Sequence, residues 1–115
     1  MILVDTSVWV DHFRKGNAHL RELLSSNEVM THPFVIGELA CGGIRNRAEI
    51  LGLLNELPMA RVAEHREVMG MIEARRLFGK GIGLIDAHLI ASALLTQVEL
   101  LTMDKVLERL LRTLR

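Results

Sequence analysis

Four short runs rich in apolar or β-forming residues, separated by segments with helical spacing, constrain the fold of this chain most strongly. The runs are Ile2–Val4, Glu28–His32, Met59–Ala63 and Val98–Thr102. Their length fits strands, whereas the segments between them place hydrophobic residues three and four positions apart, as amphipathic helices do. Alternating strands and helices predict an α/β fold with a parallel sheet covered by helices on both faces. We therefore expect a three-layer sandwich whose short sheet has four strands.

Length and composition set the limits of that fold. The chain has 115 residues, which predicts a single domain over residues 1–115. Half of the residues are hydrophobic but only 3% are aromatic, so the core must be aliphatic. So much apolar surface on a small protein predicts an oligomer. The 14 basic and 14 acidic side chains cancel, so net charge gives no indication of nucleic-acid binding.

The cellular setting is predicted from what the sequence lacks. Cys41 is the only cysteine, which excludes an intrachain disulfide and a thiolate metal cluster and fits a reducing compartment. The opening Met1–Asp5 has no basic leader and its apolar run stops at an acid, unlike a signal peptide. No run approaches the roughly 18 apolar residues of a membrane span. We expect a cytoplasmic protein with no membrane association.

Four acidic residues occupy unusual positions. Asp5 directly follows the first predicted strand, and Asp104 follows the last within two residues. Glu38 and Asp86 are each embedded in apolar helical sequence. Parallel sheets bind ligands at the carboxyl ends of their strands, where Asp5 and Asp104 are expected. A carboxylate near a core is costly unless its charge is compensated, and a shared divalent cation would compensate it.

Each acid also has a structural interpretation. Asp5 and Asp104 are suited to capping the helices that follow them, Asp86 to the first turn of a helix, and Glu38 to a solvated helix face. Yet three of the four aspartates fall at these positions, and only Asp11 does not. Taken together, the positions favour one shared site over four unrelated structural roles.

The ligand type indicates the chemistry of such a site. Ligands that are all oxygen atoms select hard cations, Mg²⁺ or Mn²⁺, over zinc. A carboxylate cluster with a divalent cation can direct water onto a phosphodiester and neutralise the charge on the departing oxygen. The sequence therefore predicts a metal-dependent hydrolase acting on phosphodiesters.

Four segments resemble the motifs of PIN-domain ribonucleases, in particular the VapC-type toxins of bacterial toxin–antitoxin pairs. They are Ile2–Val10, His32–Leu39, Gly83–Ala91 and Leu101–Lys105. Each motif is weak alone, but four in this order at fitting separations are specific. The resemblance extends from Met1 to about Leu107 and implies a PIN-like fold.

The resemblance also implies the site and its partners. Asp5, Glu38, Asp86 and Asp104 correspond to the acidic quartet that binds metal and supports RNA cleavage, with Asp5 and Asp86 as the best candidates for direct ligands. Ser7 corresponds to a hydroxyl residue that supports the site. The family further implies a Mg²⁺ or Mn²⁺ cofactor, an RNA substrate, a VapB-type antitoxin over the active site, and a toxin homodimer.

The sequence bears on two rival functions. A catalytically inactive PIN-fold module that binds RNA or protein would be favoured by a missing acid, and none is missing. A phosphoacceptor signalling domain needs an acceptor aspartate after its central strand, but Met59–Ala63 is followed by Glu64 and His65. That second rival is excluded by the sequence.

The end of the chain departs from the family pattern, in which a further short strand commonly follows the last helix. Four leucines after Asp104 share one helical stripe, which predicts a single helix packed against the sheet. We therefore expect the strand at residues 98–102 to form one edge of the sheet. The stripe consists of Leu107, Leu110, Leu111 and Leu114.

Basic residues cluster in four places along the chain. A positive rim around the acids would follow an RNA backbone, but ordinary solvated helix faces explain any one cluster equally well. The clusters are Arg14 with Lys15, Arg45 with Arg47, Arg75 and Arg76 with Lys80, and Lys105.

Overall fold

The computed structural model describes residues 1–114, which contain seven helices and three strands, with at least one helix after each strand. This arrangement confirms the predicted α/β class. In chain order the elements are β1 (Ile2–Val4), α1 (Thr6–Lys15), α2 (Ala18–Ser25), β2 (Val29–Met30), α3 (Pro33–Cys41), α4 (Arg47–Leu54), α5 (His65–Ala74), α6 (Leu84–Thr96), β3 (Glu99–Leu101) and α7 (Lys105–Thr113).

The three strands form a parallel sheet in the order β2-β1-β3. Leu3 of the central strand pairs with Met30 on one side and with Leu100 on the other. Because all strands are parallel, the residues that follow β1, β2 and β3 lie at the same end of the sheet, beyond the carboxyl ends of the strands. Within the described chain β3 is an edge strand, as predicted.

The prediction of a fourth strand at Met59–Ala63 is wrong. Only Met59 pairs there, in a single parallel bridge to Thr31. Pro58 has no amide hydrogen to contribute to a ladder, and the Arg61 amide donates instead to the Thr96 side chain at 3.1 Å. The segment therefore leaves the sheet after one pair.

The core is aliphatic, as the composition predicts, and α6 lies at its centre. All seven residues from Ala87 to Ala93 are buried, because α6 packs against both α5 and β3. Leu3 and Val4 of the central strand are fully buried beside it. A helix that is apolar on every side fits only such an interior position.

The C-terminal helix confirms the prediction made from the leucine stripe. It begins directly after Asp104, and Leu107 and Leu110 are buried while Leu111 and Leu114 are half-buried. The structure shows no strand after β3 up to residue 114. Over the same residues, no helix combines the length and apolar character needed to cross a membrane.

Candidate active site

Asp5 lies at the carboxyl end of the central strand and is only 6% exposed. Its Oδ2 accepts two hydroxyl hydrogen bonds, from Ser7 Oγ at 2.7 Å and from Thr102 Oγ1 at 2.8 Å. Asp5 occupies the N-cap position of α1, yet its side chain makes no capping hydrogen bond. The interpretation of Asp5 as a helix cap is therefore wrong, and its carboxylate is held by the two hydroxyls instead.

Both hydroxyls that hold Asp5 are themselves oriented by backbone amides. Ser7 Oγ accepts from the Met103 amide at 3.0 Å, and Thr102 Oγ1 accepts from the Asp104 amide at 3.0 Å. Each hydroxyl can therefore turn its proton toward the Asp5 carboxylate and fix the position of that carboxylate. This network joins the end of β1 to the end of β3.

The resemblance predicted a supporting role for Ser7, and its contact with Asp5 is the contact such a role requires. The sequence analysis missed Thr102, which is buried and equally close to Asp5. A signal was present, since Thr102 directly follows the last strand and stands two residues before Asp104.

Glu38 is exposed on α3 and is tied to the start of α1. Its Oε1 accepts from Thr6 Oγ1 at 2.6 Å. Since Thr6 follows Asp5 directly, this hydrogen bond brings Glu38 of α3 to the same end of the sheet as Asp5. Thr6 is the second hydroxyl residue that the sequence analysis did not single out.

Asp86 is half-buried in the first turn of α6, where its Oδ2 accepts from the Gly83 amide at 3.3 Å. Burial raises the pKa of this carboxyl, and the Gly83 hydrogen bond opposes the rise. The negative charges of Asp5, Asp104 and Glu38 raise the pKa further. The other three predicted acids therefore lie close enough to Asp86 for their charges to act on it, and this set forms a single negative region.

Asp104 is exposed and caps α7. Its Oδ1 accepts from the Val106 amide at 2.9 Å and from the Leu107 amide at 3.1 Å. The structural interpretation therefore holds for this acid. It does not exclude a second role, because the Asp104 charge also raises the pKa of Asp86.

The chemistry of the donor set fits a hard divalent cation with most of its water retained. Within residues 1–114, no three histidine, cysteine, aspartate or glutamate side chains form a group able to hold an ion. Mg²⁺ does not need such a group, since one or two carboxylates, several waters and a substrate phosphate suffice. Mutually repelling carboxylates of the kind seen around Asp86 are what such an ion would neutralise.

His88 lies two residues after Asp86 but does not join the hydrogen-bond network of Asp5. It is buried, and its ring meets that of Phe34 edge-on at 4.7 Å between centroids. Burial first, and the charge of His65 second, lower the pKa of its imidazole. These contacts assign His88 to the packing of α6 against α3.

A groove of about 420 Å³ adjoins the acidic region where Glu38 and Thr6 meet. Its walls include Arg14 and Arg45, so two of the four basic clusters lie beside the acids. Phe13 contributes an apolar wall. The groove offers both a positive rim and an apolar surface next to the candidate catalytic groups.

The chain matches the PIN domain family over residues 2–112. It belongs to that family, and the predicted PIN-like fold is confirmed. Among its relatives are two proteins named Ribonuclease VapC32, from two strains of Mycobacterium tuberculosis. Each is 48% identical to this chain over 109 residues, an alignment that covers 94% of this chain and 88% of the relative. The resemblance to VapC-type ribonucleases is thereby confirmed.

Proposed function

We propose that this PIN-domain protein is an endoribonuclease that hydrolyses RNA phosphodiesters with Mg²⁺ or Mn²⁺. The observation that carries the proposal is the buried carboxylate of Asp5, held by Ser7 and Thr102 beside three further acids. The ribonuclease names of both relatives support the substrate class. Since all four acids are present, a catalytically inactive module is the weaker alternative.

Asp5 and Asp86 are the residues that would hold the ion. When bound, the ion supplies activation of water and neutralises charge that develops on the phosphate. The two hydroxyls hold the Asp5 carboxylate in one position, so little reorganisation is needed during the reaction. Glu38 and Asp104 add negative charge that strengthens binding of the cation.

The cleavage products follow from hydrolysis by water. We expect 5′-phosphate ends, as attack by a metal-activated water and the resemblance to VapC-type ribonucleases imply. Among residues 1–114, no pair of histidines lies in the acidic hydrogen-bond network to support attack by the ribose hydroxyl instead. The two buried histidines, His32 and His88, lie in the packing around α3 and α6 instead.

Metal removal tests this proposal. Purified protein should cleave RNA, lose that activity in EDTA, and regain it with Mg²⁺ or Mn²⁺, while the RNA ends are identified by ligation that requires a 5′-phosphate. For substitutions of the four acids, Asp11→Asn is the matched control, because Asp11 contacts Lys15 and Asn17 and lies outside the acidic region. Activity that survives thorough chelation would reject metal dependence, and RNA binding without cleavage would support the inactive module.

We further propose that the protein is a cytoplasmic toxin that forms a homodimer and is inhibited by a VapB-type antitoxin. An apolar cleft of about 260 Å³ between α1 and α4 supports a surface that a partner covers. Its walls include Trp9, Phe13 and Leu53, and Leu53 is 55% exposed. Light scattering should give a dimer for the free protein, and a larger, inactive complex with the antitoxin. A strictly monomeric protein at high concentration would contradict the dimer.

A further inference from the structure

A second groove, of about 430 Å³, lies between α7 and the segment that connects α5 to α6. We call it the α7 groove. Its floor is formed in part by Leu77 and Leu110, both buried. Its other walls are Val106, Thr113 and four cationic side chains, which are Arg75, Arg76, Lys80 and Arg109.

The α7 groove concentrates positive charge in a protein whose net charge is zero. All four cations are exposed, and none of them forms an ion pair with any residue up to 114. The described residues that line the groove include no acid. On the same helix, Glu108 pairs with Arg112 at 2.7 Å, which leaves the Arg109 guanidinium available to a ligand.

The backbone at Arg76 is strained, so this position allows charge and strain to be tested together. Helix α5 ends with amide hydrogen bonds from Leu77 to the Ile72 carbonyl at 2.9 Å and from Arg76 to the Glu73 carbonyl at 3.3 Å. Arg76 occupies the left-handed position of this end, with φ at 54°. Glycine is the usual residue at that position, since a side chain there is strained. Arg76 therefore places a cation with a strained backbone at the wall of the groove.

The α7 groove begins beside the acidic site. Asp104 caps α7, and Val106, two residues later, lines the near end of the groove. The backbone at Gly81 lies close to this end of the groove, since a Cβ at Gly81 would be 3.3 Å from Val106 Cγ1. From Val106 to Thr113 the groove follows α7 for about 10 Å, at roughly 1.5 Å per residue.

We propose that the α7 groove binds the phosphate backbone of the RNA strand as it leaves the acidic site, an inference that rests on the proposed function. The four acids repel a polyanion, so a strand held across them needs cations nearby. Exposed guanidinium groups are suited to phosphate oxygens, and such contacts are independent of base sequence. The groove therefore contributes affinity for single-stranded RNA and not a choice of cleavage site.

Binding is measured with cleavage switched off. In an Asp5→Asn background with Mg²⁺, fluorescence anisotropy gives the Kd for a labelled single-stranded RNA of roughly 12 nucleotides over a range of salt. Each phosphate contact to a single strand contributes about 0.7 to the slope of log affinity against log salt. Lys80→Gln with Arg109→Gln should therefore lower that slope by about 1.4 and weaken binding roughly tenfold or more at moderate salt.

The matched control is Arg21→Gln with Arg61→Gln, which makes the same change in net charge outside the groove at two arginines that form no ion pair with residues 1–114. Both control side chains are exposed. This double variant should bind RNA with the Kd and salt slope of the parent.

Substitutions at Arg76 distinguish a loss of RNA binding at the groove from a loss of binding caused by unfolding. Arg76→Gly removes the charge and the left-handed strain together, so Tm should rise while RNA binding weakens. Arg76→Lys keeps the charge and should bind RNA as the parent does. Weak binding by a more stable protein assigns the effect to the groove.

The outcomes separate this inference from the proposed function. If neither the Asp5→Asn parent nor the unaltered protein in EDTA binds RNA, the proposed function fails and the inference is overturned with it. If the parent binds RNA but the groove variants match the control, only the inference is overturned. If the groove variants keep RNA binding and lose binding to polyglutamate, the groove is a contact for an acidic protein, and the inference is again overturned.

Discussion

The β1–α1 and β3–α7 junctions place an aspartate at the same local position and use it in opposite ways. Asp104 directs its carboxylate back to the amides of its own helix. Asp5 leaves the amides of α1 without a side-chain cap and accepts from two hydroxyls, one of them 97 residues away. Asp104 is exposed, whereas Asp5 is buried.

The β2–α3 junction resembles the β3–α7 junction. His32 stands at the N-cap of α3, and its Nδ1 accepts from the Phe34 amide at 2.9 Å. Two of the three junctions that follow a strand therefore use the N-cap side chain for stability. At the third, a cap worth about 1 kcal/mol is left unmade while a charge is buried. A local rule broken in this way, with the side chain held by other groups, indicates a functional residue.

The largest effect should come from removing the charge of Asp5. We expect Asp5→Asn to reduce RNA cleavage by at least about a hundredfold, more than the usual effect of losing a residue that only supports a metal ligand. Its melting temperature without metal should stay the same or rise. Asparagine keeps an oxygen for Ser7 and Thr102, and the repulsion with Asp86 disappears.

The same measurement on Asp86→Asn should give the same pair of results, since Asp86 lies in the same negative region. Asp11→Asn should change neither activity nor its metal dependence. A large fall in the melting temperature of Asp5→Asn would show that Asp5 stabilises the fold as Asp104 does, and the contrast between the junctions would be lost.

The second effect concerns the histidine cap. Burial, together with the charge of His88, lowers the pKa of His32 from 6.5 to about 4. Its Nδ1 accepts from Phe34, so its proton is on Nε2, which lies 3.0 Å from Ser92 Oγ. Protonating Nδ1 would remove the acceptor that caps α3.

The sign follows from proton binding in the two states. Between about pH 4 and 6.5 the unfolded chain binds a proton at His32 that the folded chain does not. The proton bound at His32 in the unfolded chain therefore lowers the free energy of unfolding as pH falls from 6.5 toward 4, by up to about 3 kcal/mol. Above pH 6.5 His32 is neutral in both states and causes no such loss. Urea unfolding at several pH values measures this decrease.

His32→Asn separates this effect from the titration of carboxylates. Asparagine still offers an oxygen to the Phe34 amide, and it loses stability at pH 7 because it leaves space in the core. Its unfolding free energy should change less between pH 6.5 and 4 than that of the unaltered protein. His19→Asn, at an exposed position, should follow the unaltered protein. Parallel profiles for His32→Asn and the unaltered protein would contradict the assignment.

Features encoded locally were predictable from the sequence. The hydrophobic spacing of α7 and the apolar run of β1 are local patterns, and both elements form where they were expected. The positions of the four acids relative to the strands also followed from local order. The charges of the other three acids all act on the pKa of Asp86, as expected for acids that share one end of the sheet.

Features that depend on distant partners were not predictable. Thr102 belongs to the site because its hydroxyl donates to Asp5, which is distant in sequence. The strand expected at Met59–Ala63 does not form, because the Arg61 amide donates to the Thr96 side chain and not to a neighbouring strand. No local pattern distinguishes Asp5 from Asp104, because both follow a strand and precede a helix. Only the hydrogen-bond partners separate the two roles.

The smallest effect should be the loss of the Asp104 cap. Asp104→Ala leaves the Val106 and Leu107 amides without their acceptor, which should lower the free energy of unfolding by about 1 kcal/mol. Asp104→Asn retains an oxygen for both amides and should recover most of that stability, although it removes the negative charge from the acidic region. Denaturant unfolding of the two variants measures the cap, and their RNA cleavage measures the charge. The comparison predicts that Asn and Ala differ in stability but share a modest loss of activity, smaller than that of Asp5→Asn. Equal stability of Asp104→Ala and the unaltered protein would mean that α7 is held by its buried leucines alone, and the distinction between the two aspartates would then rest on Asp5 only.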